Sequence, residues 1–168
     1  RIETILPDFK KAMAVKALLA THPYEEPVFD FYPLKNTWTQ VGSGVIGELE
    51  EPETELDFLK RIKKTFEVGC LRHTRLSGRL IQKVALCGGA GAFLLPKAVS
   101  ADADVFITGE VKYHDYFNYE NNILVAEVGH YESEQYTKEI FYSIMQEMFP
   151  VPEVQITRVN TNCLLYTS

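Results

Sequence analysis

Two short runs of polar, ionisable residues each follow an apolar stretch in the second half of the chain. Thr108-Gly109-Glu110-Val111-Lys112-Tyr113-His114-Asp115 follows Val105-Phe106-Ile107, and Gly129-His130-Tyr131-Glu132-Ser133-Glu134 follows Ile123-Leu124-Val125-Ala126. Open α/β sheets hold ligands beyond the carboxyl ends of their strands, so these runs sit where a site is expected. His130 and Glu134 are four apart. On a helix they share one face about a turn apart, near enough to share a cation; the same spacing also suits a surface pair or a capping arrangement. Glu110 and His114 repeat it. An imidazole whose ordinary pKa is near 6.5 is suited to general acid or base work, whereas acidic residues at a helix start also favour its dipole. Two such clusters after neighbouring strands strengthen each other.

Other residues carry weaker signals. Gly88-Gly89-Ala90-Gly91 sits between a strand and a helix, where amides can meet an anion, yet it matches neither G-x-x-x-x-G-K-[ST] nor G-x-G-x-x-G. Close packing of helix on strand is the simpler reading. Cys87 ends an apolar run with no base or cation beside it, which describes a buried, inert thiol. His73 reads as a strand-surface residue, and His22 as part of a loop made rigid by Pro23 and Pro27.

These residues must be positioned by folded elements. The 168 residues are 46% hydrophobic and 24% charged, far from a disordered composition, and the net charge of −6 disfavours nucleic acid as the primary ligand. Cys70, Cys87 and Cys163 form no C-x-x-C pair, which argues against a disulfide framework and for a reducing compartment. No apolar run is long enough to span a bilayer and no signal peptide is evident, so the chain is expected to be cytoplasmic, without membrane contact.

The pattern from 1 to 76 predicts strand, helix, strand, strand, helix, strand. The strands fall at Arg1–Leu6, Pro27–Pro33, Val41–Leu49 and Leu71–Arg75, and the helices follow Pro7 and Thr54. That order is a split βαβ, ferredoxin-like arrangement, with Ser77-Gly78-Arg79 as the boundary. Beyond it, strands at Ile81–Cys87, Asp104–Ile107, Ile123–Ala126 and around Val154–Arg158 alternate with helices at Phe93–Ser100 and Glu132–Met148. This predicts a layered α/β lobe with a mostly parallel sheet.

Together these motifs resemble a known family. Val84–Gly91, Ala103–Asp115 and Gly129–Glu134 are similar to the C-terminal half of NIF-three-like proteins, the GTP cyclohydrolase type 2 homologues. His22-Pro23-Tyr24-Glu25-Glu26-Pro27 with Asp30-Phe31-Tyr32-Pro33-Leu34 resembles the PII-like or CutA-like domain inserted into many bacterial members. The resemblance implies a PII/CutA-like insert over 1–76 and, over 77–168, half of a layered α/β metal-binding lobe. It further implies two divalent metal ions (zinc, iron or manganese), a toroidal hexamer and a nucleotide substrate whose purine ring is opened. His130 and Glu134 fall on the family's C-terminal metal ligands. His114 and Glu110 line the same cavity, suited to proton transfer or substrate orientation.

The family's N-terminal half, which supplies a His-His pair and an Asp to the metals, is absent from this sequence. The expectation is therefore a fragment of a metal-dependent hydrolase-like protein, inactive alone, whose partner is that missing half. The alternative is a non-enzymatic metal-binding scaffold or small-molecule sensor with a PII-like regulatory domain.

Overall fold

The computed structural model describes residues 1–36, 41–149 and 154–164. The chain divides into two compact units, Arg1–Thr39 and Gln40–Ser168.

In the first unit, Pro7 precedes a 3-10 turn at Asp8–Lys10 that runs into helix α1, Lys11–Thr21. The Thr21 hydroxyl donates to the Ala17 carbonyl at 2.9 Å, and the Lys11 ammonium lies 4.6 Å from the centroid of the Phe31 ring. The strands expected at Arg1–Leu6 and Pro27–Pro33 do not form. An extended segment becomes a strand only when a neighbour completes its ladder, and the apolar side chains of Ile2, Ile5 and Val28 stay exposed. The ferredoxin-like order is therefore not what residues 1–76 build among the described residues.

The second unit is built on one mixed sheet. Its strands are β1 (Val45–Thr54), β2 (Arg72–His73), β3 (Leu80–Cys87), β4 (Val105–Thr108) and β5 (Leu124–Glu127), in spatial order β1-β3-β4-β5-β2. The central β3, β4 and β5 run parallel; β1 and β2 close the two edges antiparallel. β1 pairs with β3 and makes no hairpin with 27–33, so strands on both sides of Ser77-Gly78-Arg79 share this sheet. The β1–β3 register shifts between Glu48 and Glu53, where Pro52 has no amide to offer the ladder.

Thr54 ends β1 and caps helix α2, Glu55–Thr65, accepting from the Asp57 amide at 3.2 Å. Acidic residues open this helix, Lys63 and Lys64 close it, and its stripe of Phe58, Leu59 and Ile62 is buried on one face of the sheet with Ile81, Val105, Ile107 and Leu124. The other face buries Ala85, Phe106 and Val125 beneath Leu95 and Ala98 of helix α3, Leu95–Ser100. β4 and β5 are buried throughout, which explains their apolar runs Val105–Ile107 and Leu124–Ala126; the polar Thr108 and Glu127 that end them are hydrogen-bonded.

Glu55, buried at the start of α2, accepts from the Ser77 amide and hydroxyl and from the Gly78 amide at 2.8–3.1 Å. Burial pushes its carboxyl up, but these hydrogen bonds and the nearby Arg79 charge outweigh burial and hold it below the usual carboxylate range. The segment read from sequence as a boundary is thus tied into the second unit.

The remaining elements are α4 (Tyr113–Tyr119), α5 (His130–Glu134) and α6 (Thr137–Met148). One helix was expected over Glu132–Met148; the chain instead turns between α5 and α6, where the Thr137 hydroxyl donates to the Glu134 carbonyl. The last expected strand, near Val154–Arg158, joins no ladder among the described residues. No helix among them is long and apolar enough to cross a membrane.

Candidate functional site

The parallel register aligns Cys87, Thr108 and Glu127 across β3, β4 and β5, so the loops leaving these strands emerge side by side at the carboxyl edge. They are Gly88–Ala90, Gly109–Lys112 and Val128–Gly129. Glycines let them close together. A Cβ on Gly109 would lie 2.5 Å from Ser133 Oγ, 2.8 Å from the Gly89 carbonyl oxygen and 3.0 Å from that of Gly129. A Cβ on Gly91 would lie 2.7 Å from both Cys87 Sγ and Thr108 Oγ1, so the glycine-rich turn serves close packing, as expected.

Hydrogen bonds stitch the loops. The Gly109 amide donates to the Gly89 carbonyl at 3.0 Å, the Gly89 amide to Ser133 Oγ at 2.9 Å, and Ser133 Oγ–H to the His130 carbonyl at 2.8 Å. Thr108 Oγ1 donates to the Gly89 carbonyl and accepts from the Gly91 amide. Ser133, overlooked in the sequence, is the side chain joining the first and third loops. Its signal was available only as its place inside the Gly129–Glu134 run.

At the mouth of this knot, Gly129 adopts φ 101° and turns the chain from β5 into α5, whose first residue is His130 and last is Glu134. His130 Nε2 lies 3.4 Å from Glu134 Oε2 across one helical turn. On the other side of the ring, His130 Nδ1 is hydrogen-bonded to Glu110 Oε2 at 3.2 Å. All three side chains are about half exposed, so an ion or substrate can reach them. His130, Glu134 and Glu110 are thus brought together. His114, on α4, is exposed; its ring meets the edge of Tyr113 at 6.1 Å and makes no hydrogen bond to the other three.

The donor set suits a metal ion in part. His130 Nε2 and Glu134 face the same space and pair an imidazole with a carboxylate, but Glu110 lies on the opposite ring nitrogen. Among the described residues no three His, Cys, Asp or Glu side chains form a group able to hold a metal. Cys87 donates to the Ser43 carbonyl, and burial pushes its thiol up, as suits an inert thiol. His73 lies exposed in β2 and His22 accepts from the Tyr24 amide, so neither joins the cluster.

A second polar group supports the site from behind. Glu127, at the end of β5 and nearly buried, accepts from the Tyr116 hydroxyl at 2.6 Å and from Arg72 Nη2. It ties α4 and the edge strand β2 to β5, three residues before His130. Burial first, then the hydrogen bond to Glu127, pushes the Tyr116 phenol well above its ordinary value.

A five-stranded mixed sheet packed between helices, with a histidine–carboxylate cluster on its glycine-lined carboxyl edge, places the chain among mixed α/β proteins. It belongs to the Duf34/NIF3 (NGG1p interacting factor 3) family, whose description matches residues 8–163. The chain is 42% identical over 114 residues, 68% of its length, to a GTP cyclohydrolase 1 type 2 homolog of Halalkalibacterium halodurans, covering 31% of that protein. It is 31% identical over 171 aligned residues to the protein of the same name from Staphylococcus aureus strain Mu50, covering 99% of this chain and 46% of that one. Among solved structures it is similar to Staphylococcus aureus protein SA1388, with TM-score 0.76 and 29% identity, over 99% of this chain and 55% of that one. A Bacillus cereus protein related to NIF3 matches with TM-score 0.74 and 26% identity, over 96% and 46% of the two chains. The chain thus spans less than half the length of these curated relatives.

Proposed function

We propose that this chain carries part of a divalent-metal site of a hydrolase-like protein acting on a purine nucleotide, with His130 and Glu134 as metal ligands. The observation that carries the reading is the convergence of three strand-end loops on one histidine–carboxylate pair, held by Gly89, Gly109 and Ser133. The names of the relatives, GTP cyclohydrolase 1 type 2 homolog, support the substrate class.

A catalytic metal normally takes three protein ligands, so two leave the site incomplete. The remaining ligands come, in this reading, from the rest of a longer protein assembled as a ring-shaped hexamer, and the 168-residue chain binds metal weakly without turnover. A bound divalent cation would lower the pKa of its water and polarise the attacked bond. This chain's residues hold the cation, keep its loops fixed through Ser133, and offer the exposed His114 imidazole for proton transfer to a substrate entering from solvent.

The test is formate release from a purine nucleotide by the full-length parent, with and without Glu134→Ala. Metal-dependent release lost in the variant supports the enzyme. Metal binding without release supports the alternative, a scaffold or small-molecule sensor, which the two-ligand donor set also favours for the chain by itself.

A further inference from the structure

We infer that Glu110 is a positioning residue that selects the His130 tautomer, leaving Nε2 beside Glu134 as a lone-pair donor that can receive a cation. The inference rests on the metal reading only for its purpose; the tautomer stands on geometry. His130 has a carboxylate on each side, and the two contacts differ. Nδ1 and Glu110 Oε2 meet the requirements of a hydrogen bond at 3.2 Å, whereas Nε2 and Glu134 Oε2 are close at 3.4 Å without forming one. A neutral imidazole has one N–H, and an ionised carboxylate only accepts. The proton therefore belongs on Nδ1, donating to Glu110.

Glu110 is held for this task. The preceding Gly109 is pinned by the hydrogen bond its amide N–H donates to the Gly89 carbonyl, and the following Val111 is buried in the core with residues of α3. Between these anchors the Glu110 backbone cannot drift, and its side chain reaches across from the loop after β4 to the helix after β5. A histidine that ligates a metal commonly donates its other N–H to a carboxylate, which fixes the ring and its tautomer; losing such a partner typically lowers metal affinity about 10–100-fold. Glu110 stands in that relation to His130 and Glu134. Its role is thus to orient another side chain rather than to move protons itself.

The experiment is long-range nitrogen–proton correlation on metal-free, histidine-labelled protein at about pH 8.5, two units above an ordinary imidazole pKa. The His130 signal is assigned by its loss in His130→Gln. The expected result is an Nδ1–H tautomer at His130, kept in Glu110→Gln, whose amide oxygen still accepts, and lost in Glu110→Ala while the signals of His22, His73 and His114 stay in place. An Nε2–H tautomer in the wild type, or an unchanged His130 in Glu110→Ala, overturns the inference. Manganese titration of the same samples is a separate arm. A loss of about 10–100-fold in Glu110→Ala supports the positioning role, and an unchanged affinity overturns its purpose. A wild type that binds no manganese but passes the tautomer test overturns the metal reading and upholds the tautomer.

Discussion

Gly89→Ala separates the site from the fold, because the new methyl would meet the site directly. Gly89 sits at φ +59°, and a Cβ there would lie 2.3 Å from Glu134 Oε1, 3.3 Å from Glu134 Cδ and 3.6 Å from His130 Cε1. The left-handed backbone alone costs an L-residue about 1–2 kcal/mol. The close contacts fall on the far end of a half-exposed side chain, which swings outward at little further cost to the fold. Global stability should therefore drop by about 1–2 kcal/mol, a Tm fall of about 2–8 °C for a domain of this size. The ligand pair suffers far more, since Glu134 is driven from beside Nε2, and manganese affinity should fall at least about tenfold, as for a lost metal partner. Gly91→Ala is the contrast: its Cβ would strike Cys87 and Thr108, short side chains rooted in strands, so it should lose more stability than Gly89→Ala. Urea unfolding and calorimetric titration read the two effects. Unchanged affinity in Gly89→Ala, or a stability loss beyond about 4 kcal/mol, would refute the placement of Glu134 against this turn.

Two further predictions concern the polar groups that brace the sheet. Tyr116→Phe removes a donor from the buried Glu127 carboxylate and should cost about 1–3 kcal/mol in urea unfolding. Because the folded-state phenol is raised, the wild type binds its proton more tightly than the unfolded chain does; this contribution is complete below about pH 10 and declines as pH rises beyond it. The variant should lack that alkaline decline. Glu55→Gln acts on the acid side: the folded carboxyl lies below its ordinary value, so its contribution is present above about pH 4.3 and is lost as pH falls through the folded value. The variant should be less stable at neutral pH and show a shallower acid limb, and equal acid limbs would refute the Ser77–Gly78 cradle.

The central strands were legible in the sequence because each is predominantly apolar, β3 apart from Gln82 and Lys83. Leu80–Cys87, Val105–Thr108 and Leu124–Glu127 form the parallel centre, each within a residue or two of its expected limits. Helix α2 was legible because Thr54 is a local capping signal and Leu56, Leu59, Ile62 and Phe66 recur at helical spacing, although Leu56 is exposed and Phe58 takes its place in the core. Partnership was not. Nothing local to Val45–Thr54 shows that its ladder lies with β3, some 30 residues later, instead of with the aromatic run 27–33. For the same reason Arg1–Leu6 reads as a strand, although it joins no ladder among the described residues.

At the site, the four-residue spacing of His130 and Glu134 correctly brought them to one helix face, since that geometry is intrinsic to a helical turn. The repeat of this spacing at Glu110 and His114 misled. Glu110 lies in the loop before α4, so the pair does not act as a helix face, and Glu110 bonds His130 instead. Ser133 and the Gly89 contact depend on three loops meeting in space, which no linear spacing encodes.

The most direct test of the central claim, that His130 and Glu134 form part of a divalent-metal site, is titration of the 168-residue chain with manganese(II), a metal that favours carboxylate over thiolate. Binding should be weak and chelator-labile, and abolished in both His130→Ala and Glu134→Ala. Binding that survives either substitution, or stoichiometric metal that resists chelation in this chain alone, would contradict it.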